Sequence, residues 1–227
     1  MSHFGSIFLW VIYPYVMLAS FFVGTFFRLR RPGTVTAKSS ELLEKKQLIV
    51  GSILFHVGII GVFGGHIIGI FIPESFTRSI GISDEFYHEF LALGFGGFFG
   101  ACLLIGVLIL IWRRFTNRRV FLNSSWSDLV VIAALGVTIV LGMLSSFVAG
   151  PMTAGFDYRQ NISIWGRTLF VLQPHWQLMG GIPLMYKLHI VCGLAIFGFF
   201  PYTRLVHALY VPLQYLGRRF VVFRRYK

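Results

Sequence analysis

Five stretches of the chain are almost wholly apolar: residues 7–27, 48–72, 86–111, 129–148 and 182–211. Each has the roughly 20 residues that a helix needs to cross about 30 Å of hydrocarbon. A helix closes its own backbone hydrogen bonds, so an apolar run of this length crosses a bilayer in that form. The pattern predicts an all-α integral membrane bundle of five transmembrane helices, folded as one domain over 1–227 and ending in a basic tail at 212–227. Neither Lys nor Arg precedes the first run, and it is too long for the apolar core of a signal peptide, so it reads as a retained span.

Composition agrees, with 56% of residues apolar and only 12% charged, far from the globular average. The net charge of +12 is unevenly placed. Sixteen of the twenty Lys and Arg fall in 28–46, 113–119 and 204–227, and the others are Arg78, Arg159, Arg167 and Lys187. Cations collect on the cytoplasmic side of membrane proteins, which predicts an N-terminus outside and a C-terminus in the cytoplasm. The charge is thus a topology signal. Nucleic acid is set aside as a partner, because no folded soluble domain remains to present those cations.

Four histidines interrupt the apolar runs: His56 and His66 in the second, His189 and His207 in the fifth. Ionisable side chains at membrane depth are costly and usually functional. Imidazole binds ferrous and ferric iron alike, so two helices with two imidazoles each can grip two haems from both faces and move electrons across the bilayer. Because the two spans run in opposite directions, the predicted pairs are His66 with His189 on the outer side and His56 with His207 on the inner. Spacing supports this only in part. Ten residues rise ~15 Å and eighteen rise ~27 Å, and straight parallel helices would need equal rises. If both pairs form, helix five has to bend near Pro201. The alternative for each histidine is an interhelical hydrogen bond.

Gly61, Gly65 and Gly69, and likewise Gly96 and Gly100, recur at four-residue spacing, which suits either close helix packing or room for a macrocycle near the backbone. Cys102 and Cys192 lie inside spans without C-x-x-C spacing, against a disulfide, zinc or covalent haem. Between spans four and five, Ile162, Trp165, Leu169 and Leu172 form an amphipathic stripe suited to lying on the outer leaflet. His3 and His175 read as surface residues. Arg218, Arg219, Arg224 and Arg225 make the tail a candidate for anionic membrane lipid. A histidine-relay proton transporter is a weaker alternative, since mid-span carboxylates are scarce and no inverted repeat is evident. A plain membrane anchor would need no histidine pairs.

The segments TAKSSELLEKK at 36–46, LFHVGIIGVFGGH at 54–66, PYTRLVH at 201–207 and VPLQYL at 211–216 closely resemble the γ subunit, or cytochrome b subunit, of membrane-bound respiratory nitrate reductase. The likeness extends over nearly the whole chain. It implies two b haems, an inner one on His56 and His207 and an outer one on His66 and His189. It implies oxidation of menaquinol or ubiquinol beside the outer haem, with protons released outside. Electrons would then pass through the inner haem to an iron-sulfur β subunit and a molybdenum-cofactor α subunit that reduces nitrate, all at the cell membrane. Partnership with a related molybdoenzyme stays open as an alternative.

A quinol site needs a proton acceptor, and the outer-side candidates are His88, Glu89, Asp84 and Lys187, with Gly65 offering backbone access and the stripe at 162–172 a candidate roof. Some members of the resembling family have a lysine in place of His88, implicated in quinol binding. Haem propionates need cationic partners in a low-dielectric site. Arg204 and Arg114 are candidates for the inner haem and Lys187 for the outer, although Arg114 also reads as an ordinary inner-side anchor and Lys187 as a snorkelling cation. The resemblance further implies that the basic tail docks on the iron-sulfur subunit.

Overall fold

The computed structural model describes residues 3–30, 40 and 43–209. The tail at 212–227, with Arg218, Arg219, Arg224 and Arg225, lies outside the described residues, as does most of 36–46. Among the described residues every regular element is helical. Five helices are long and apolar enough to cross a membrane: α1 (His3–Leu29), α2 (Lys46–Phe71), α3 (Asp84–Thr116), α4 (Trp126–Met152) and α5, whose α-helical part is Leu184–Phe199. Four of these lie within a few residues of the predicted runs. The fifth does not.

Residues 182–211 were expected to form one span, but the α-helix stops at Phe199 and gives way to a 3-10 turn, Phe200–Tyr202. Thr203 is extended (φ −114°, ψ 177°) and starts a second 3-10 turn, Arg204–Ala208. Pro201 is the cause: it lacks an N–H for the helical ladder and its ring clashes with the preceding turn. The ring is buried against α1, where a Cβ on Gly24 would sit 2.9 Å from it.

Helix ends follow local chemistry. Ser125 and Asp128 form a reciprocal capping box at the start of α4, with Asp128 N–H to Ser125 Oγ at 3.2 Å and Ser125 N–H to Asp128 Oδ2 at 3.1 Å. Asn117 ends α3 and its Oδ1 accepts from Arg119 N–H at 3.1 Å, opening the short helix Arg118–Leu122. The two ends of the bundle differ in charge. Among the described residues the cation-poor end, with the connections 72–83 and 153–183, carries Arg78, Arg159, Arg167 and Lys187, and the cation-rich end, with 117–125 and 203–209, carries Arg28, Arg30, Lys45, Lys46, Arg113, Arg114, Arg118, Arg119 and Arg204.

Around the bundle, α2 packs on α3, α3 on α4, α4 on α5 and α5 on α1. Glycine sets how closely these helices approach. A Cβ on Gly58 would strike the backbone of Leu103, one on Gly106 would strike the backbone of Phe55, and one on Gly51 would stand 3.0 Å from Leu110. The close α2–α3 contact therefore runs along Gly51, Gly58 and Gly106. Of the glycines singled out by spacing, Gly61 packs under the Phe99 ring and Gly100 against Met143.

The stripe at 162–172 does not lie on lipid, the first of the two placements expected of it. Helix Ile162–Phe170 turns Ile162, Trp165 and Leu169 inward onto Trp10, Met179 and Ile182, so its apolar face covers the bundle rather than the lipid. Polar groups settle the choice, because they meet a carbonyl in the π-helical turn Phe8–Ile12 of α1 and two at the C-terminal end of α2. The Trp165 indole N–H donates to Trp10 O at 2.9 Å, Ser163 Oγ–H to Gly69 O at 2.7 Å and the Arg167 guanidinium to Ile70 O at 2.7 Å. Leu172, with a left-handed φ of 59°, is exposed and leaves the stripe.

At the cation-rich end, Arg113 is buried and ties Ser40 and Glu44 to α3. It donates to Glu44 Oε2 at 2.6 Å, Ser40 Oγ at 3.0 Å and Ser40 O at 2.9 Å. The Gln47 N–H, then the Arg113 guanidinium and the Leu48 N–H, hold the Glu44 carboxyl below the usual carboxylate range. A depressed carboxyl pKa adds stability that is present above the unfolded-state value and disappears as pH falls through the folded one. Thermal unfolding in detergent should therefore lose an acid-side increment that Glu44→Gln no longer has. The glycine contacts make a second prediction. Gly58→Val or Gly106→Val should destabilise the bundle by about 1–3 kcal/mol through overpacking. Gly96→Ala should be tolerated in the same assay, since its Cβ would meet only Leu91 O at 3.8 Å.

Candidate functional site

The four intramembrane histidines meet in two pairs. The His66 and His189 rings have centroids 5.9 Å apart, inclined by 30°. Those of His56 and His207 are 6.2 Å apart, inclined by 70°. His56 and His66 are carried by α2 and His189 by α5, but His207 sits on the 3-10 turn beyond the break. That break disposes of the mismatch between ~15 Å and ~27 Å, because the eighteen residues from His189 to His207 do not form one straight helix.

Each ring uses one nitrogen in the same way. Nδ1 lies against a backbone carbonyl in all four: Ser52 O at 2.7 Å for His56, Val62 O at 2.7 Å for His66, Thr138 O at 2.9 Å for His189 and Arg204 O at 2.6 Å for His207. A carbonyl only accepts, so each Nδ1 carries the hydrogen and the Nε2 lone pair is left for another partner. This is the usual second-shell arrangement of a metal-bound histidine.

Distance narrows the kind of partner. Metal–imidazole bonds are about 2 Å and a ring centre lies about 1 Å behind its nitrogen, so rings on opposite sides of one metal have centres about 6 Å apart. Both pairs suit that spacing. Among the described residues no group of three or more His, Cys, Asp and Glu is gathered to hold a metal. Two opposed imidazoles suit a cofactor that brings its own equatorial donors. His56, His66 and His207 are exposed rather than packed under other side chains, and a polar ring at membrane depth needs a partner for each nitrogen. Nothing lies within 4 Å of a Cβ built on Gly64 or Gly65, beside His66, or on Gly193, one turn from His189. Phe63 and Phe197, with ring centroids 6.2 Å apart, occupy positions between the two pairs on α2 and α5.

The other sequence candidates are scattered more widely. Arg204 Nε is 3.2 Å from Asp128 Oδ1, and Arg114 donates to Ser124 Oγ at 2.9 Å with Asp128 Oδ2 4.0 Å away. Both lie at the cation-rich end with His207. At the other end His88 and Glu89 are exposed on Tyr87–Phe95, a π-helical stretch of α3, a form that is rare and concentrated at functional sites. Asp84 is engaged by Arg78 at 2.8 Å, and Lys187 donates to Gly180 O at 2.9 Å. Among the described residues no hydrogen bond joins His88, Glu89 or Lys187 to the His66–His189 pair. His3 and His175 are both exposed, as expected, and His3 stands edge-on to Trp176 at 5.0 Å. Cys102 and Cys192 are free thiols.

Sequence reasoning missed the cluster that braces the cation-poor end. Arg159 is 6% exposed, with Nη2 donating to Thr77 Oγ1 at 2.9 Å and its guanidinium 3.9 Å from the Tyr87 ring centre. The Tyr158 hydroxyl lies near Gly69, one turn from His66, and burial, with the Tyr87 phenol adding to it, pushes the Tyr158 phenol up. Its one sequence signal is the pair Tyr158 and Arg159 in a connection otherwise short of charge. Asp128 was missed too, since a carboxylate in a capping box reads as a helix start and nothing more.

Comparison with known proteins adds an independent line. A family model described as nitrate reductase gamma subunit matches residues 6–226. The nitrate reductase gamma chain of Bacillus subtilis (strain 168) is 42% identical over 96% of this chain and 97% of its own length. The respiratory nitrate reductase 2 gamma chain of Escherichia coli (strain K12) is 30% identical, with 99% of both chains covered. The nitrate reductase-like protein NarX of Mycobacterium tuberculosis (strain ATCC 25618 / H37Rv) is 38% identical over 97% of this chain, which spans 34% of that longer protein. A match of this extent, on a five-helix bundle with two facing histidine pairs, means that the chain belongs to the nitrate reductase gamma subunit family.

Proposed function

We propose that this chain is the quinol-oxidising, di-haem cytochrome b subunit of a respiratory nitrate reductase. The observation that carries the reading is the pairing of four intramembrane imidazoles at 5.9 and 6.2 Å with every Nδ1 on a carbonyl. His66 and His189 hold an outer haem b, and His56 and His207 an inner one. When bound, the two haems supply one-electron carriers spaced across the bilayer. The cation-rich end faces the cytoplasm, a direction supported by the charge distribution, and meets the iron-sulfur and molybdenum subunits there.

The remaining steps belong to side chains and backbone. Menaquinol or ubiquinol enters at the cation-poor end beside His66, where Gly64 and Gly65 leave the α2 backbone uncovered. Two protons must leave the hydroquinone as it is oxidised. His88, exposed on the π-helical stretch, is the acceptor that hands them to the outer water. Arg159 holds Tyr87, the neighbour of His88, by stacking on its ring and so fixes the start of that stretch. Lys187, turned onto Gly180 O, caps the entry to α5. Protons stay outside while electrons cross, so charge is separated without a proton channel.

Membranes carrying the chain should give a dithionite-reduced minus oxidised spectrum with two b-type components, both reducible by a menaquinol analogue. A folded, haem-free preparation would sink the proposal. His66→Ala or His189→Ala should remove the outer component and quinol oxidation, yet spare nitrate reduction from artificial donors that feed the soluble subunits. His88→Gln should lower quinol turnover about 100-fold, the low end of general-base contributions, with haem content intact. An unchanged rate and pH profile would dismiss His88 as the acceptor.

A further inference from the structure

His207 differs from the other three histidines in what carries it. His56, His66 and His189 ride on α-helices of many turns, whereas His207 lies on the five-residue 3-10 turn Arg204–Ala208. Extended Thr203 separates that turn from α5, so the helical ladder does not continue into it. Short 3-10 pieces have poorer hydrogen-bond geometry, and their direction depends on outside contacts. Thr203 Oγ1 accepts from Leu205 N–H at 3.2 Å, and the Val206 side chain is buried. A charged tie adds to these, from Arg204 Nε to Asp128 Oδ1 at 3.2 Å, with the Asp128 side chain 15% exposed.

Asp128 is well placed to hold a direction. It is the third residue of α4, and the capping box with Ser125 fixes its carboxylate from the side of Oδ2. Arg114 Nη1, at the end of α3, stands 4.0 Å from the same oxygen. Oδ1 faces Arg204. The Arg204 backbone carbonyl in turn accepts the Nδ1–H of His207 at 2.6 Å. One residue is therefore gripped through its side chain by Asp128 and grips the imidazole through its carbonyl.

We infer that Asp128 is a positioning residue for the inner histidine pair: by holding Arg204 it sets the orientation and tautomer with which His207 faces His56. The inference rests on the two-haem reading above. It assigns the helix-four cap a second task, and it makes the inner pair, not the outer, dependent on an ion pair at the membrane edge. His66 and His189 take their orientation from carbonyls within long α-helices, and they stay as they are when Asp128 changes.

The test is a redox titration of the full chain followed by reduced-minus-oxidised spectra, with haem per protein measured alongside. Asp128→Asn keeps an oxygen for the Ser125 N–H but removes the charge. It should shift the midpoint potential of one b-type component and weaken retention of that haem about 10-fold or more, as loss of an outer-shell partner does, leaving the other component unmoved. Arg204→Gln should shift the same component, and the double variant should be no worse than the worse single one. Ser125→Ala loosens the cap yet spares the carboxylate, so both components should stay in place. Two unshifted, fully loaded components in Asp128→Asn overturn the inference, and so does Ser125→Ala if it reproduces the shift. A wild-type chain without haem overturns the functional reading instead. Amide exchange then still decides the tie itself: faster exchange confined to residues 204–208 in Asp128→Asn supports it, and unchanged exchange rejects it.

Discussion

An imidazole held at hydrocarbon depth has two nitrogens and no water to satisfy either, and the arrangement of α2, α4 and α5 turns on how that demand is met. Three of the four rings take a carbonyl from the preceding turn of their own segment, at Ser52, Val62 and Arg204, and His189 takes Thr138 O from α4. Each Nε2 is thereby left free of the backbone, in a ring whose partner's centre lies about 6 Å away. The α2–α3 contact at Gly58 and Gly106 sets where His56 and His66 stand. The α4–α5 contact does the same for His189, since a Cβ on Gly142 would stand 2.8 Å from that ring.

The two pairs are built to different tolerances. The His66–His189 pair is framed by uninterrupted helices, and a covering helix closes the same end of the bundle through Trp165, Ser163 and Arg167. The His56–His207 pair hangs on a short turn beyond Pro201, braced by buried Val206 and the Arg204–Asp128 contact. A straight helix could not have served both levels, because the rises between histidines on the two segments differ by about 12 Å. Breaking one helix is the simplest way to bring both rings opposite their partners, and proline at 201 makes that break local.

Much of the architecture was legible because a bilayer permits few alternatives. Apolar length identifies a span almost regardless of neighbours, so four of five helices emerged within a few residues. The misreadings share a different origin. The stripe of Ile162, Trp165 and Leu169 has the same appearance whether it faces lipid or protein, and only the indole and guanidinium partners on Trp10 and Ile70 decide between them. Repeating glycines likewise mark small surfaces without naming their occupant. Gly61 lies under Phe99, while Gly65, four residues on, has nothing above it.

What the amino-acid sequence determined by itself was the solvent, the number of spans, the uneven placement of charge and the four imidazoles that had to be accounted for. These depend on local chemistry, since transfer into hydrocarbon is settled residue by residue. The opposite directions of two spans also indicated which histidines could pair; tertiary structure decided how closely each pair stands, where the fifth helix ends and which cations are spoken for. Arg113 on Glu44, Arg159 on Tyr87 and Arg204 on Asp128 join residues 69, 72 and 76 positions apart in the chain. Such pairings depend on how helices pack around one another, and no spacing along a single helix encodes them.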